Sequence, residues 1–173
     1  MQRLSRIAIV VALSLSMTAC NAYQTAETAY HVIDAIAGVV EADLPSLQAA
    51  GPFSPQEGQV ISGYLSLVKR LNDQYGSCVA NVQSAMLSTK GKYLACANVF
   101  SAGLLDPNEL AQLRVISPRA QQKVQLWVTA FQIGLNTTIT ALGGKTEPPP
   151  VVSSVPVAQS DLDELRVRVL RGM

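Results

Sequence analysis

Apolar residues recur at helical spacing along most of this chain. From Tyr23 to Val40 they follow an i, i+3, i+4, i+7 pattern, which is typical of one face of an amphipathic helix. We expect this first helix to end near Asp43, because Pro45 has no amide hydrogen with which to continue the helical ladder. A short further turn could extend to Ala50.

Prolines mark the starts of the following helices. Ser54, Pro55 and Glu57 supply a capping serine, a proline at the first helical position and a glutamate at the third. The apolar face that follows continues to Met86. This pattern predicts a long second helix, with a close helix–helix approach or a local kink near Gly76.

A turn is expected over residues 88–92, and a third, shorter helix follows it to about Leu104. Prolines directly after Asp106 and Ser117 repeat the start signal, first for a brief helix and then for a long one that Gly143 ends. No convincing strand alternation appears. The sequence therefore predicts an all-α fold, an antiparallel helical bundle with about four main helices plus a short one.

The composition changes after Gly144. Residues 145–159 are rich in proline and predict an extended linker. Residues 160–173 predict a short amphipathic helix with acids in its first turn and arginines later, as the helix dipole favours. Such a short helix is marginal alone in water, so we expect it to need a partner surface. Its candidate partner-binding residues are Leu162, Leu165, Arg166, Arg168 and Val169.

Two kinds of surface could receive this C-terminal helix. One belongs to another envelope protein or to a second copy of this chain. The other is the protein's own acidic first helix, with Arg166 and Arg168 facing Asp34 or Glu41. The sequence pattern favours neither.

The first 20 residues have the pattern of an export signal. Arg3 and Arg6 precede a short apolar run over residues 7–15, and small residues lead into Cys20. The run is too short to span a bilayer as a permanent helix, which needs about 20 apolar residues. Over residues 1–20 the chain resembles a bacterial lipoprotein precursor.

This resemblance implies that a signal peptide, residues 1–19, is removed and that Cys20 is acylated. Residues 20–144 would then form a bundle domain that is held to the membrane by diacylglycerol and usually an N-acyl chain. In lipoproteins of the enterobacterial type, Asn21 in place of aspartate implies the outer membrane, facing the periplasm. The alternative is a soluble secretory signal cut elsewhere, for instance near Ala22, with Cys20 as a free thiol.

Cys78 and Cys96 are the other two cysteines. An exported protein meets an oxidising compartment, in which an even pair usually forms a disulfide. The two positions are also centred on residue 87, beside the predicted turn, and residues equally distant from the turn of a hairpin face each other. We therefore expect a Cys78–Cys96 disulfide, with two buried free thiols as the alternative.

The charge balance argues against a nucleic-acid partner. Removal of residues 1–19 would leave eleven basic residues against twelve acidic ones, a net charge near −1. A chain this close to neutral has no strong field with which to recruit nucleic acid.

Candidate chemistry is sparse. Glu27, His31 and Asp34 share one helical face and are weak candidates for a metal site, for which a solvated acidic stripe is the alternative. No nucleophile elbow, glycine-rich phosphate loop or haem-attachment motif occurs. We expect neither enzymatic activity nor a cofactor.

The function expected from the sequence is that of a membrane-anchored envelope lipoprotein that binds or scaffolds another protein. One alternative is a small-ligand binder. Another is a surface lipoprotein encoded by a mobile element. A ligand binder would have an apolar cavity of several hundred cubic ångströms, lined by some of Tyr30, Tyr64, Tyr75, Phe100 and Trp127.

Overall fold

Helices account for nearly all of the regular structure. The computed structural model describes residues 22–51, 53–85, 89–146, 148–153 and 156–172. Its helices are α1 (Ala22–Ala49), α2 (Pro55–Ser84), α3 (Lys90–Leu104), α4 (Pro107–Arg114), α5 (Pro118–Ala141) and α6 (Gln159–Gly172). No strand occurs among these residues. The predicted all-α helical bundle is confirmed.

The main helices pack antiparallel to their neighbours, which gives the bundle two ends. At the proximal end lie the starts of α1 and α3, where the Tyr23 and Tyr93 rings are 6.4 Å apart. The end of α5 also lies there, because Gly144 packs against Leu94. At the distal end lie the starts of α2 and α5. The short α4 follows the distal end of α3.

The predicted start of α2 is confirmed as a capping box. The Ser54 hydroxyl accepts from the Glu57 amide at 3.2 Å, and the Glu57 carboxylate accepts from the Ser54 amide at 2.7 Å. The other carboxylate oxygen of Glu57 accepts from the amide of Ser117, the N-cap of α5, at 2.7 Å. One side chain therefore joins the starts of two helices.

Glu57 makes the stability of this junction dependent on pH. The hydrogen bonds from Ser117 and Ser54 lower the pKa of Glu57 to about 2, from 4.5. Because the folded-state pKa is depressed, the stabilisation is present above about pH 4.5 and is lost as the pH falls through about 2. We expect Glu57→Gln to destabilise the protein at neutral pH and to differ least from the unmodified chain near pH 2.

Urea unfolding at several pH values measures this effect. Asp34→Asn is the control, since Asp34 is an exposed carboxylate far from any helix start. A stability difference between Glu57→Gln and the unmodified chain that is the same at pH 2 and at neutral pH would contradict the prediction.

The predicted end of the first helix near Asp43 is wrong, and the further turn to about Ala50 belongs to the same helix. α1 continues through Pro45 to Ala49. A proline inside a helix costs about 3 kcal/mol, but Pro45 faces solvent, where the carbonyl that loses its partner can bind water. On either side of it, Leu44 is buried and Leu47 packs against the core. Burial of these leucines offsets the lost hydrogen bond.

The predicted turn over residues 88–92 is too long at its C-terminal side, because α3 begins at Lys90. The Thr89 carbonyl accepts from the amides of Lys92 and Tyr93, so residues 90–92 already form a helical turn. Tyr93 is buried, and its packing fixes this first turn. Residues 86–88, including Met86, lie outside the described residues.

The predicted bridge between α2 and α3 is present. Cys78 and Cys96 form a disulfide with their Cα atoms 5.8 Å apart. Nearby, the backbone of Gly76 packs against the Tyr30 ring, so the glycine permits the close approach of α1 and α2 that the sequence allowed for. The Asn72 side chain donates to the Tyr30 carbonyl across the same interface.

Candidate functional site

The C-terminal helix, which carries the predicted partner-binding residues, folds back onto its own bundle. Leu165 and Val169 are buried, and Leu162 packs against the core from a half-buried position. These three apolar side chains contribute to the protein's own core, so they are not available to a partner in this arrangement. Of the two surfaces that the sequence left open, the chain's own first helix receives α6.

The charged contact that holds α6 is not the one expected. Arg168 forms a bidentate ion pair with Asp43 of α1, in which its two terminal guanidinium nitrogens donate to the two carboxylate oxygens at 2.7 and 2.5 Å. This hydrogen bonding raises the pKa of Arg168. Glu41, an expected partner, instead pairs with Lys69 of α2. Asp34, the other expected partner, is exposed, and Arg166 is exposed as well.

The described part of the proline-rich segment before α6 has no helix or strand, and residues in it are packed against the bundle. We call residues 148–153 the strap. Val152 and Ser153 are buried, and the Arg114 guanidinium donates to the Val151 carbonyl at 3.1 Å. The strap therefore belongs to the folded body and does not act as a free spacer.

Gln125 of α5 holds the strap through both the oxygen and the nitrogen of its side-chain amide. Its oxygen accepts from the amides of Val152 at 2.5 Å and Ser153 at 3.1 Å. Its nitrogen donates to the Pro150 carbonyl at 2.9 Å and to the Thr129 hydroxyl at 3.1 Å. This buried side chain supplies hydrogen bonds to backbone groups that are not paired within a helix or a strand.

We expect Gln125→Leu to release the strap. The substitution leaves two amides and one carbonyl of the strap without partners, at a cost of about 1–3 kcal/mol for each group that stays buried. If the strap detaches, its backbone groups bind water, so the total cost cannot exceed the free energy of docking the strap. The expected loss in unfolding free energy is therefore about 2 kcal/mol. Hydrogen exchange at the Val152 and Ser153 amides should accelerate at the same time.

Gln122→Leu is the matched control, since Gln122 lies on the exposed face of the same helix. It should leave both measurements unchanged. Unaltered amide exchange in Gln125→Leu would contradict the assigned role of Gln125.

The metal candidates Glu27, His31 and Asp34 are not brought together as a ligand set. The Glu27 carboxylate accepts from the Tyr23 hydroxyl at 2.5 Å, while His31 and Asp34 are exposed. Glu27 and His31 line an open groove of about 470 Å³ between α1 and α2, together with Asp73. Among the described residues, no group of three or more His, Cys, Asp or Glu side chains is placed to hold a metal ion.

Four of the five aromatic residues proposed to line a ligand cavity are buried in the core. Tyr75 and Phe100 form an edge-to-face pair at 5.9 Å, and Trp127 packs in the same way against Phe53 at 6.1 Å. Burial raises the pKa of Tyr64 and the pKa of Tyr75. The Tyr75 hydroxyl donates to the Ala26 carbonyl. These four side chains belong to the core, whereas Tyr30 lines the open groove with Glu27 and His31.

Sequence reasoning missed Asp43 and Gln125, and also the buried amides of Asn72 and Gln132. Asn72 and Gln132 each have one oxygen without a hydrogen-bond partner among the described residues. The available signal for Gln125 was a single amide within the apolar run from Val124 to Val128. Nothing in the sequence indicated that the strap would be its partner.

Comparison with known proteins gives no relatives. No family model, curated protein or solved structure matches this chain. No helix among the described residues is long and apolar enough to cross a membrane.

Proposed function

We propose that this protein is a lipid-anchored envelope protein that binds another protein through the exposed face of α6, without enzymatic activity. The proposed anchor is acylated Cys20, which lies outside the described residues. It is supported by the resemblance of residues 1–20 to a lipoprotein signal. The residue after it, Asn21, supports placement at the outer membrane, facing the periplasm.

The observation that carries the binding proposal is the exposed apolar pair on α6. Val167 is 46% exposed and Leu170 is 60% exposed, and a spacing of three residues places them on one helical face. The opposite face is fixed by the buried Leu165 and Val169 and by the ion pair of Arg168 with Asp43. A helix that is already held in place loses little conformational entropy when a partner covers it.

Site-specific photo-crosslinking in intact cells tests the binding surface. A photoreactive residue placed at position 167 or 170 should give a discrete crosslinked protein. The matched control position is Val99 of α3, which is 68% exposed and should give no such product. The substitution pair Val167→Ser and Leu170→Ser should abolish a crosslink formed from a neighbouring position on α6, whereas Val99→Ser should not.

Two outcomes would contradict the proposed surface. One is the absence of a crosslinked product at both α6 positions. The other is the same product from position 99, which would indicate contact by proximity only. A product with twice the mass of this chain would identify a second copy as the partner.

The anchor is tested independently by growth on labelled palmitate. The protein should take up label and remain with membranes in high salt, while Cys20→Ser should do neither. An unlabelled protein that washes off with salt would overturn the anchoring part of the proposal.

A further inference from the structure

Three exposed lysines lie at the proximal end of the bundle, on the side formed by α3 and α5. Lys90 and Lys92 lie in the first turn of α3, and Lys145 follows directly after the glycines that end α5. These segments are neighbours, because Gly144 packs against Leu94, one turn after Lys90. Lys92 also lines an open groove along α2, together with Arg70 and Asp73.

The acidic residues are placed differently. Near the proximal end, the first acid along α1 is Glu27, whose carboxylate is engaged by the Tyr23 hydroxyl. Glu57, Asp106 and Glu109 lie at the opposite, distal end, at or near the starts of α2 and α4. Among the described residues, every charged side chain in the helical turns that form the proximal end, and in the residues that follow α5 to position 146, is therefore a lysine.

The covalent chain places this same end close to the proposed anchor. α1 begins at Ala22, two residues after Cys20. Two residues reach at most about 7 Å even when fully extended. If Cys20 carries the lipid, which is the part of the proposed function on which this inference rests, the proximal end is held at the level of the headgroups.

We propose that the proximal end rests on an anionic phospholipid surface, with Lys90, Lys92 and Lys145 contacting headgroup phosphates. The Debye length in physiological salt is about 8 Å, so charges held this near the bilayer interact with it. Each basic residue at an anionic surface tightens partitioning about five-fold. The three lysines together should tighten partitioning onto the anionic surface about 100-fold.

This contact would also set where the partner surface lies. Asp43, which fixes α6 through Arg168, is 21 residues along α1 from Ala22. At 1.5 Å per residue the separation is about 30 Å. A bundle whose proximal lysines contact the membrane surface would therefore present Val167 and Leu170 away from the membrane.

Vesicle partitioning of a singly acylated protein tests this orientation. The chain from residue 20 onward contains all six described helices, and its disulfide leaves Cys20 as the thiol to modify. One saturated chain of myristoyl length, attached to Cys20, gives only weak and reversible membrane binding, so added electrostatic attraction is measurable. The vesicles are phosphatidylcholine alone, or an equal mixture of phosphatidylcholine and phosphatidylglycerol.

We expect about 100-fold tighter binding to the anionic vesicles at about 0.05 M salt, with most of the gain lost at about 0.5 M. Changing Lys90, Lys92 and Lys145 together to glutamine should reduce binding to the level of the neutral vesicles. The matched control changes Arg119, Lys123 and Arg166 to glutamine, since these exposed residues lie at the start of α5 and beside the Arg168–Asp43 ion pair, away from the proximal end. This control variant loses the same amount of charge and should keep most of the tighter binding to anionic vesicles.

Equal binding to both kinds of vesicle would overturn the inference. Equal losses in the two triple variants would also overturn it, because they would indicate attraction by total charge alone. Thermal unfolding by circular dichroism establishes that both variants are folded. Because the acyl chain is attached chemically, the result does not depend on whether cells acylate Cys20, which palmitate labelling tests separately.

Discussion

Replacing Cys78 and Cys96 together with serine is expected to lower the free energy of unfolding by about 3 kcal/mol. The disulfide closes a loop with a sequence separation of 18 residues, so it restricts the unfolded chain. In a protein of this size such a loss corresponds to a decrease of about 6–12 °C in melting temperature. Thermal unfolding by circular dichroism measures the change.

Reductant supplies an internal control for the disulfide. It should lower the melting temperature of the unmodified chain to that of the double variant and leave the double variant unchanged. Cys20→Ser, which removes the remaining thiol, should melt like the unmodified chain. A double variant with an unchanged melting temperature would show that the bridge does not stabilise the fold.

Leu165→Asp is expected to detach α6 from the bundle. Leu165 is buried against the body, and an unpaired carboxylate at this position would cost several kcal/mol, so undocking of the helix is the less costly response. The loss is limited to the docking free energy of α6, about 2–3 kcal/mol for its few buried apolar side chains after the cost of ordering. Limited trypsin digestion should then cleave rapidly after Arg166 and Arg168.

Leu170→Asp is the matched control for this prediction. Leu170 lies on the same helix and is 60% exposed, so the same substitution should change neither the melting temperature nor the digestion rate. Equal effects of the two substitutions would contradict the docked position of α6. Leu170→Asp should nevertheless weaken partner binding, which separates folding from function at this helix.

Helix starts could be predicted from sequence because their causes are local. The capping box of Ser54 and Glu57 and the cap of Ser117 on α5 involve residues at most three apart. The disulfide could be predicted because Cys78 and Cys96 are symmetric about one turn. In each case the interacting groups are placed by a few neighbouring backbone angles.

The candidate site was predicted only in part. The apolar stripe of α6 was identified, but its inward side chains, Leu165 and Val169, face the protein's own core. The outward side chains, Val167 and Leu170, became candidates only once the docked face was known. An amphipathic pattern predicts that one face of a helix will be buried, but it does not predict which surface will bury it.

By itself the sequence determined the helical class, the caps and the cysteine pair, since helix periodicity and capping are short-range properties of the chain. Only the tertiary structure decided that α1 continues through Pro45, that Gln125 holds the strap and that Arg168 pairs with Asp43. These outcomes depend on which distant surfaces meet. Burial of Leu44 and Leu165 against those surfaces supplies the free energy that local propensity lacks.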